Sequence, residues 1–317
     1  MKIGILGAGS IAGKVSRTLE QMETIGCQAV ASRNKEKAER FAAEHGYEKA
    51  YGSYEEMLCD KDVELVYIAT PHSHHFEHMK LCIEHGKPAL CEKAFCENAE
   101  QAREIMELSR EKKVYVSEAI WPRYMPSRQI INDMLASGII GQVYTLTANL
   151  SYPISHVERI IRPELAGGAL LDIGVYGINF MLMHFGHDIE RIESSVRFLE
   201  TGVDADESIT VFYRDGRMAV LTHSIFPRSD RKGIFHGDKG YMVVENINNP
   251  SEINVYDNGD RLVKHIDVPE QISGYEYEFL ESADCIEKGL TQSRSMPLEE
   301  SVRMLEIMDA VRKCWKK

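Results

Sequence analysis

Lys2-Ile3-Gly4-Ile5-Leu6-Gly7-Ala8-Gly9-Ser10-Ile11-Ala12 is the stretch whose reading decides the fold. Ile3 to Leu6 is a short apolar run of the kind a buried strand shows. Gly7, Gly9 and Ala12 then fall at the spacing of the G-x-G-x-x-G/A dinucleotide fingerprint. Gly7 permits the tight turn, Gly9 lets the backbone approach a pyrophosphate, and Ala12 lets the helix pack closely on the strand. Ser10 and Ile11 start that helix, whose unpaired N–H groups and positive dipole end favour an anion. Gly7, Gly9, Ser10, Ile11 and Ala12 are therefore the first expected cofactor contacts. Glycine-rich turns are common; the strand before this one and the helical pattern after it give it weight.

Reading outward, a helix is expected over residues 10–22 and a second strand over 27–31. An NAD-preferring site normally ends that strand with Asp or Glu for the ribose hydroxyls. Ser32-Arg33 stands there instead. A carboxylate repels a 2′-phosphate, whereas a hydroxyl and a guanidinium bind it. The pair points to NADP(H) as preferred cofactor, with NAD(H) still possible. The competing reading makes Arg33 a solvated loop residue.

Strands at 63–69, 89–91 and 114–117 alternate with helices at 73–85 and 99–112, as a doubly wound parallel sheet requires. Beyond about residue 119 the character changes. A helix at 127–136 leads into extended runs at 142–151, 190–199, 208–213, 217–225, 234–236 and 241–245. Turn signals such as Arg214-Asp215-Gly216 separate them. One helix interrupts them at 169–184, and amphipathic helices at 275–289 and 298–315 follow. The expectation is an α/β chain: a Rossmann domain over 1–119, then an α+β domain over 120–317 with an open, mainly antiparallel sheet. An open face implies a partner, so a homodimer or homotetramer through that face is expected.

The chain has 317 residues and a net charge of −12. That sign disfavours nucleic acid and anionic membranes, both of which need a basic surface. Lys316-Lys317 is too short for a basic tail. No apolar run reads as reaching the ~18 residues a membrane span needs, so no span and a cytoplasmic location are expected. Seven cysteines without a C-x-x-C pair argue against a disulfide scaffold. The run His72-Ser73-His74-His75-Phe76-Glu77-His78 invites a zinc reading, but no matching cluster at structural-site spacing lies nearby, and no metal is expected.

Ligands of such sheets lie at the carboxyl ends of the strands. Thr70, Pro71, His72 and His75 follow one strand; Glu92 and Lys93 follow another; Trp121 and Arg123 follow a third. These complete the expected cofactor contacts. In the second domain Asp172 and Tyr176, four apart, share a helical face within the apolar run Gly167-Gly168 to Tyr176. Arg159, Arg162, His223 and Phe226 are further pocket candidates.

The fingerprint at 7–12, Thr70-Pro71-His72 with His75, Glu92-Lys93, and Gly167-Gly168 through Tyr176 resemble, in order and spacing, the glucose–fructose oxidoreductase and inositol dehydrogenase (Gfo/Idh/MocA) family. The resemblance spans essentially the whole chain. Ala119-Ile120-Trp121 with Arg123 and the run 170–176 are most similar to its dihydrodiol dehydrogenase group, whose members also oxidise D-xylose with NADP. One departure is Ala94, where the family has proline after Glu-Lys.

The resemblance implies that Lys93, Asp172 and Tyr176 are catalytic, with Lys93 and Tyr176 beside the nicotinamide and Asp172 beside Lys93. Such an enzyme moves a hydride between nicotinamide C4 and a sugar, cyclic polyol or dihydrodiol carbon. A phenol of pKa about 10 is a weak base at pH 7, and a nearby ammonium favours the phenolate. The competing readings make Tyr176 a core aromatic, Lys93 a surface residue and Asp172 a structural cap. Two other functions stay open: a redox regulator that binds NAD(P) without turnover, and a glycosidase that holds NAD for transient oxidation.

Overall fold

The computed structural model describes residues 1–315, so Lys316-Lys317 lie outside the described residues. In chain order the first elements are β1 (Lys2–Leu6), α1 (Ser10–Leu19), β2 (Gly26–Ala31), α2 (Lys35–His45), β3 (Lys49–Tyr51), α3 (Tyr54–Leu58), β4 (Leu65–Ile68), α4 (His75–Glu84), β5 (Ala89–Glu92), α5 (Ala99–Lys112) and β6 (Val116–Ala119). The six strands form one parallel sheet in the order β3-β2-β1-β4-β5-β6. Strand order reverses between β1 and β4, which opens a crevice at their carboxyl ends. β4 and β5 are buried at every residue, as strands covered on both faces must be.

The chain continues with α6 (Pro126–Ala136), β7 (Val143–Ser151), α7 (Glu158–Ile161), α8 (Val175–Phe185), β8 (Ile189–Phe198), β9 (Asp204–Tyr213), β10 (Met218–Ser224), β11 (Gly233–Gly237), β12 (Gly240–Val244), β13 (Glu252–Asp257), β14 (Leu262–Asp267), α9 (Glu276–Glu287) and α10 (Leu298–Trp315). The second sheet runs β14-β13-β12-β11-β7-β10-β9-β8. Its ladders are antiparallel except that β7 and β10 run parallel. The α/β class, with a Rossmann sheet and a second, mainly antiparallel sheet, is the fold the chain adopts.

Two compact units result. One joins Met1–Tyr124 to Gln271–Leu305; the other joins Met125–Glu270 to the stretch that begins at Glu306. The expected division left everything after residue 119 in the second domain, whereas the chain returns to the first unit. The reason is packing: Phe279 and Cys285 of α9 are fully buried in the core built by Ile3, Ile5, Val30 and Leu65. The Phe279 ring lies 5.3 Å from that of Tyr67 in β4.

Three elements of the first unit gave little signal. The buried stripe of α2 is Ala38, Phe41, Ala42 and His45, half of it alanine. Its start is fixed by Asn34, whose side chain accepts the Lys37 N–H. β3 has three residues, and α3 five. In the second unit β14 is an exposed edge, so no apolar alternation marks it.

One expectation needs correction. Pro163–Phe185 is long and apolar enough, by length and composition, to cross a membrane. Within the fold 83% of its most apolar window is buried, so its hydrophobicity belongs to the core of the second unit.

Candidate active site

The turn after β1 has the features expected of it. Gly7 sits at φ +100, where a Cβ would press on the Ala69 carbonyl at 3.0 Å. Gly9 caps α1 in an extended conformation, and a Cβ there would meet nothing within 4 Å. Among the described residues no side chain caps α1, and no acid occupies its first turn. Ser10 is exposed, Ile11 partly buried, and Ala12 completely buried against the sheet. The helix start therefore offers open space, unopposed N–H groups and no negative charge, which fits a pyrophosphate.

At the end of β2, Ser32 is nearly buried, and its hydroxyl accepts the Asn34 N–H at 3.3 Å. Arg33 is exposed and interacts with Tyr54 of α3. The Tyr54 ring meets His78 edge-on at 4.7 Å, and His78 Nδ1 lies 2.9 Å from the Thr70 hydroxyl. His74 and His78 also feel the Arg33 charge, and burial holds the His78 pKa down at about 4. Arg33, Tyr54, His74 and His78 thus form one cationic and aromatic cluster. Sequence reading found only Arg33. Tyr54 and His78 come from helices that no local pattern links to it, although the histidine run was a visible signal. Among the described residues no three metal-binding side chains come together.

The ends of β4 and β5 are joined through His75. Its Nδ1 lies 2.8 Å from the Ala94 carbonyl and its Nε2 2.8 Å from the Thr70 carbonyl. Burial lowers its pKa to about 4. Pro71 leads into a short helical turn, His72–His74, in which His72 is buried with its ring 5.6 Å from that of His75. Glu92 is buried, accepts the Tyr67 hydroxyl, and receives the Lys93 N–H at 3.2 Å. The half-buried Lys93 precedes a cis peptide to Ala94. Glu118 of β6, unforeseen in the sequence, accepts the Phe95 N–H at 3.0 Å, and burial raises its pKa to about 7.

Trp121 stacks on Tyr275 at 4.4 Å and is nearly buried. Arg123 is 3% exposed and pairs with Glu300 at 2.8 Å. That guanidinium is thus engaged within the first unit's own framework.

In the second unit the helix expected over 169–184 begins differently. Leu170–Gly174 forms a π-turn, in which the Val175 N–H reaches back five residues to the Leu170 carbonyl, and α8 continues from it. Asp172 is nearly buried, and its Oδ1 accepts Arg159 Nη1 at 2.9 Å. Tyr176 lies half-buried in the first turn of α8. Of the other pocket candidates, Arg162 pairs with Glu158 and Glu164 at the surface. Phe226 lies under the Arg197 guanidinium at 4.6 Å, and His223 is fully buried beside Glu207.

Comparison with known proteins matches each part of the chain. A family model described as "Oxidoreductase family, NAD-binding Rossmann fold" matches residues 1–120, and one described as "GFO/IDH/MocA C-terminal domain" matches residues 129–243. Trans-1,2-dihydrobenzene-1,2-diol dehydrogenase of Mus musculus is 35% identical over 326 residues, covering 99% of this chain and 96% of that protein. The protein of the same name from Xenopus tropicalis is 34% identical, with 97% and 96% covered. Among solved structures, a 3-ketoreductase from Actinomadura kijaniata, in complex with TDP-benzene and NADP, superposes with a TM-score of 0.89 at 25% identity, covering 99% of this chain and 98% of that one. An aldose-aldose oxidoreductase from Caulobacter crescentus shares the fold, with a TM-score of 0.89 at 17% identity, covering 99% and 97%.

Proposed function

The chain belongs to the Gfo/Idh/MocA oxidoreductase family, NAD(P)-dependent dehydrogenases of CH–OH groups, and on that premise we propose an NADP(H)-dependent dehydrogenase of a sugar, cyclic polyol or dihydrodiol. One observation carries the cofactor preference: the cluster of Arg33, Tyr54, His74 and His78 at the end of β2, where an NAD site would hold a carboxylate. Guanidinium, imidazole and phenol groups suit a 2′-phosphate and the adenine beside it. The relatives' names support a diol or sugar substrate.

The nicotinamide cofactor, when bound, supplies or accepts the hydride. The start of α1 and the turns after β2, β4 and β5 hold it, and the proton is left to the protein. Tyr176 takes that acid–base role. Lys93 contributes the positive charge that favours a phenolate, and Asp172 orients charge around it while holding Arg159. General acid–base assistance of this kind is worth about 10² to 10⁴ in rate.

The deciding test is absorbance at 340 nm with NADP⁺ and, separately, NAD⁺, against D-xylose, D-glucose, inositols and a trans-dihydrodiol. A rise with NADP⁺ that falls at least about tenfold in Tyr176→Phe and Lys93→Met supports the proposal. No turnover by a protein that binds NADPH favours the regulator reading; purification with bound NAD and glycoside cleavage favours the hydrolytic one.

A homodimer or homotetramer through the open face of the second sheet belongs to the same proposal. The exposed Phe226, beside Arg197 on the row opposite the buried one, supports it, and a monomer mass in light scattering overturns it. The seven free cysteines support a reducing, cytoplasmic location. Disulfides in protein isolated from cells would contradict that.

A further inference from the structure

The inward rows of β9 and β10 are apolar at every step but one. Ala205, Ile209, Val211 and Tyr213 on β9, with Ala219 and Leu221 on β10, are buried; Glu207 and His223 interrupt them, directly opposite each other in the ladder. Both side chains are fully buried, with His223 Nδ1 2.9 Å from Glu207 Oε1. Among the described residues Glu207 Oε2 and His223 Nε2 have no hydrogen-bond partner. A buried ionisable pair adds little stability over well-packed apolar residues, and unsatisfied atoms add a cost. Core stability alone therefore gives no reason for it.

Its position gives one. A Cβ on Gly174 would collide with Glu207 Oε1 and come within 3.4 Å of His223 Nδ1. A Cβ on Gly177 would collide with His223 Nε2 and lie 2.9 Å from Cε1. Tyr176 stands between those two glycines. At the other end of the π-turn, Asp204 Oδ2 accepts the Leu170 N–H at 2.6 Å. β9 therefore holds the turn at its entry through Asp204 and at its exit through Glu207. Burial raises the Glu207 pKa against the opposing pull of His223, with Asp204 and Arg312 as the more distant charges.

We propose that Glu207 and His223 are positioning residues, which fix the first turn of α8 and so the place and polarity of the Tyr176 phenol. Neither touches substrate. The inference rests on the acid–base reading of Tyr176. It goes further in naming what sets that group from beneath.

The test uses the whole protein with two readouts. The first needs no substrate: ultraviolet difference titration of each variant against the same variant carrying Tyr176→Phe, which isolates one phenol. Glu207→Ala and His223→Gln each move its midpoint by at least about half a pH unit, and Glu207→Gln restores it. The second is kcat and KM with trans-1,2-dihydrobenzene-1,2-diol and NADP⁺. There the same two variants lose about tenfold in kcat with KM for NADP⁺ within about twofold, and Glu207→Gln recovers most of the loss.

Should Glu207→Ala not fold, His223→Gln carries the test, because its amide still reaches Glu207 while the ring is gone from beneath Gly177. A lower melting temperature with unchanged midpoint and kcat makes the pair structural only and overturns the proposal. Full activity in Tyr176→Phe defeats the acid–base reading instead, so the two failures are distinguishable.

Discussion

A methyl group at Gly9 would touch nothing within 4 Å, whereas at Gly177 it would run into the imidazole of His223. Both glycines sit where a helix begins, beside groups assigned to chemistry, yet they make room for different things. In the first unit the space stays open, next to N–H groups that face no acid. In the second unit the chain's own carboxylate and imidazole fill the space, pressed against Gly174 and Gly177. One glycine lets a ligand approach the backbone; the others admit a support from the chain itself. A glycine-rich motif is therefore two kinds of device, and the surrounding atoms tell which.

Substitutions separate the two kinds. The largest effect is expected at Gly177→Ala, where overpacking costs about 2 to 3 kcal/mol in denaturant unfolding. His223→Ala in the same chain should return at least half of that; simple addition of the two losses would break the comparison. Next comes Arg33→Ala, in the first unit, expected to weaken NADPH by about thirtyfold, or 2 kcal/mol, and NADH by about twofold or less. Calorimetric titration with each cofactor reads this directly, and equal losses would return Arg33 to the solvent.

The smallest effect is expected at Gly9→Ala. It should weaken both cofactors alike, by about fivefold, while the free protein changes by under about 1 kcal/mol. Its backbone is in an extended region open to alanine, so any loss must come from the ligand side. A large loss of free-protein stability would show that Gly9 serves packing after all.

What the sequence disclosed followed the range of its signals. The strand, turn and helix of residues 2–12 are decided within a dozen positions, and Ser32-Arg33 adjoins a strand whose apolar run is plain. Tyr54 and His78 were not legible as neighbours of Arg33, because they reach it from α3 and α4. Glu207 was hidden for another reason. It sits in Asp206-Glu207-Ser208, three polar residues in a row, where alternation does not show which side chain turns inward. His223 was only one of several pocket candidates in the sequence; its side chain is fully buried and paired with Glu207, a partner the sequence did not disclose. The spacing of Asp172 and Tyr176 read as regular helix; the π-turn there is bonded at its start to Asp204 of β9, a distant contact that local periodicity does not carry.

The return of Gln271–Leu305 to the first unit also sets a timetable for the nascent chain. At about 5 to 20 residues per second, the ribosome needs roughly 7 to 30 s to travel from the end of the first segment at Tyr124 to this return. Every strand of the second sheet is synthesised in that interval. Meanwhile the nucleotide-binding sheet waits with an apolar face uncovered where Phe279 and Cys285 will pack. The half of the protein that is started first is thus completed only after every strand of the other half has been made.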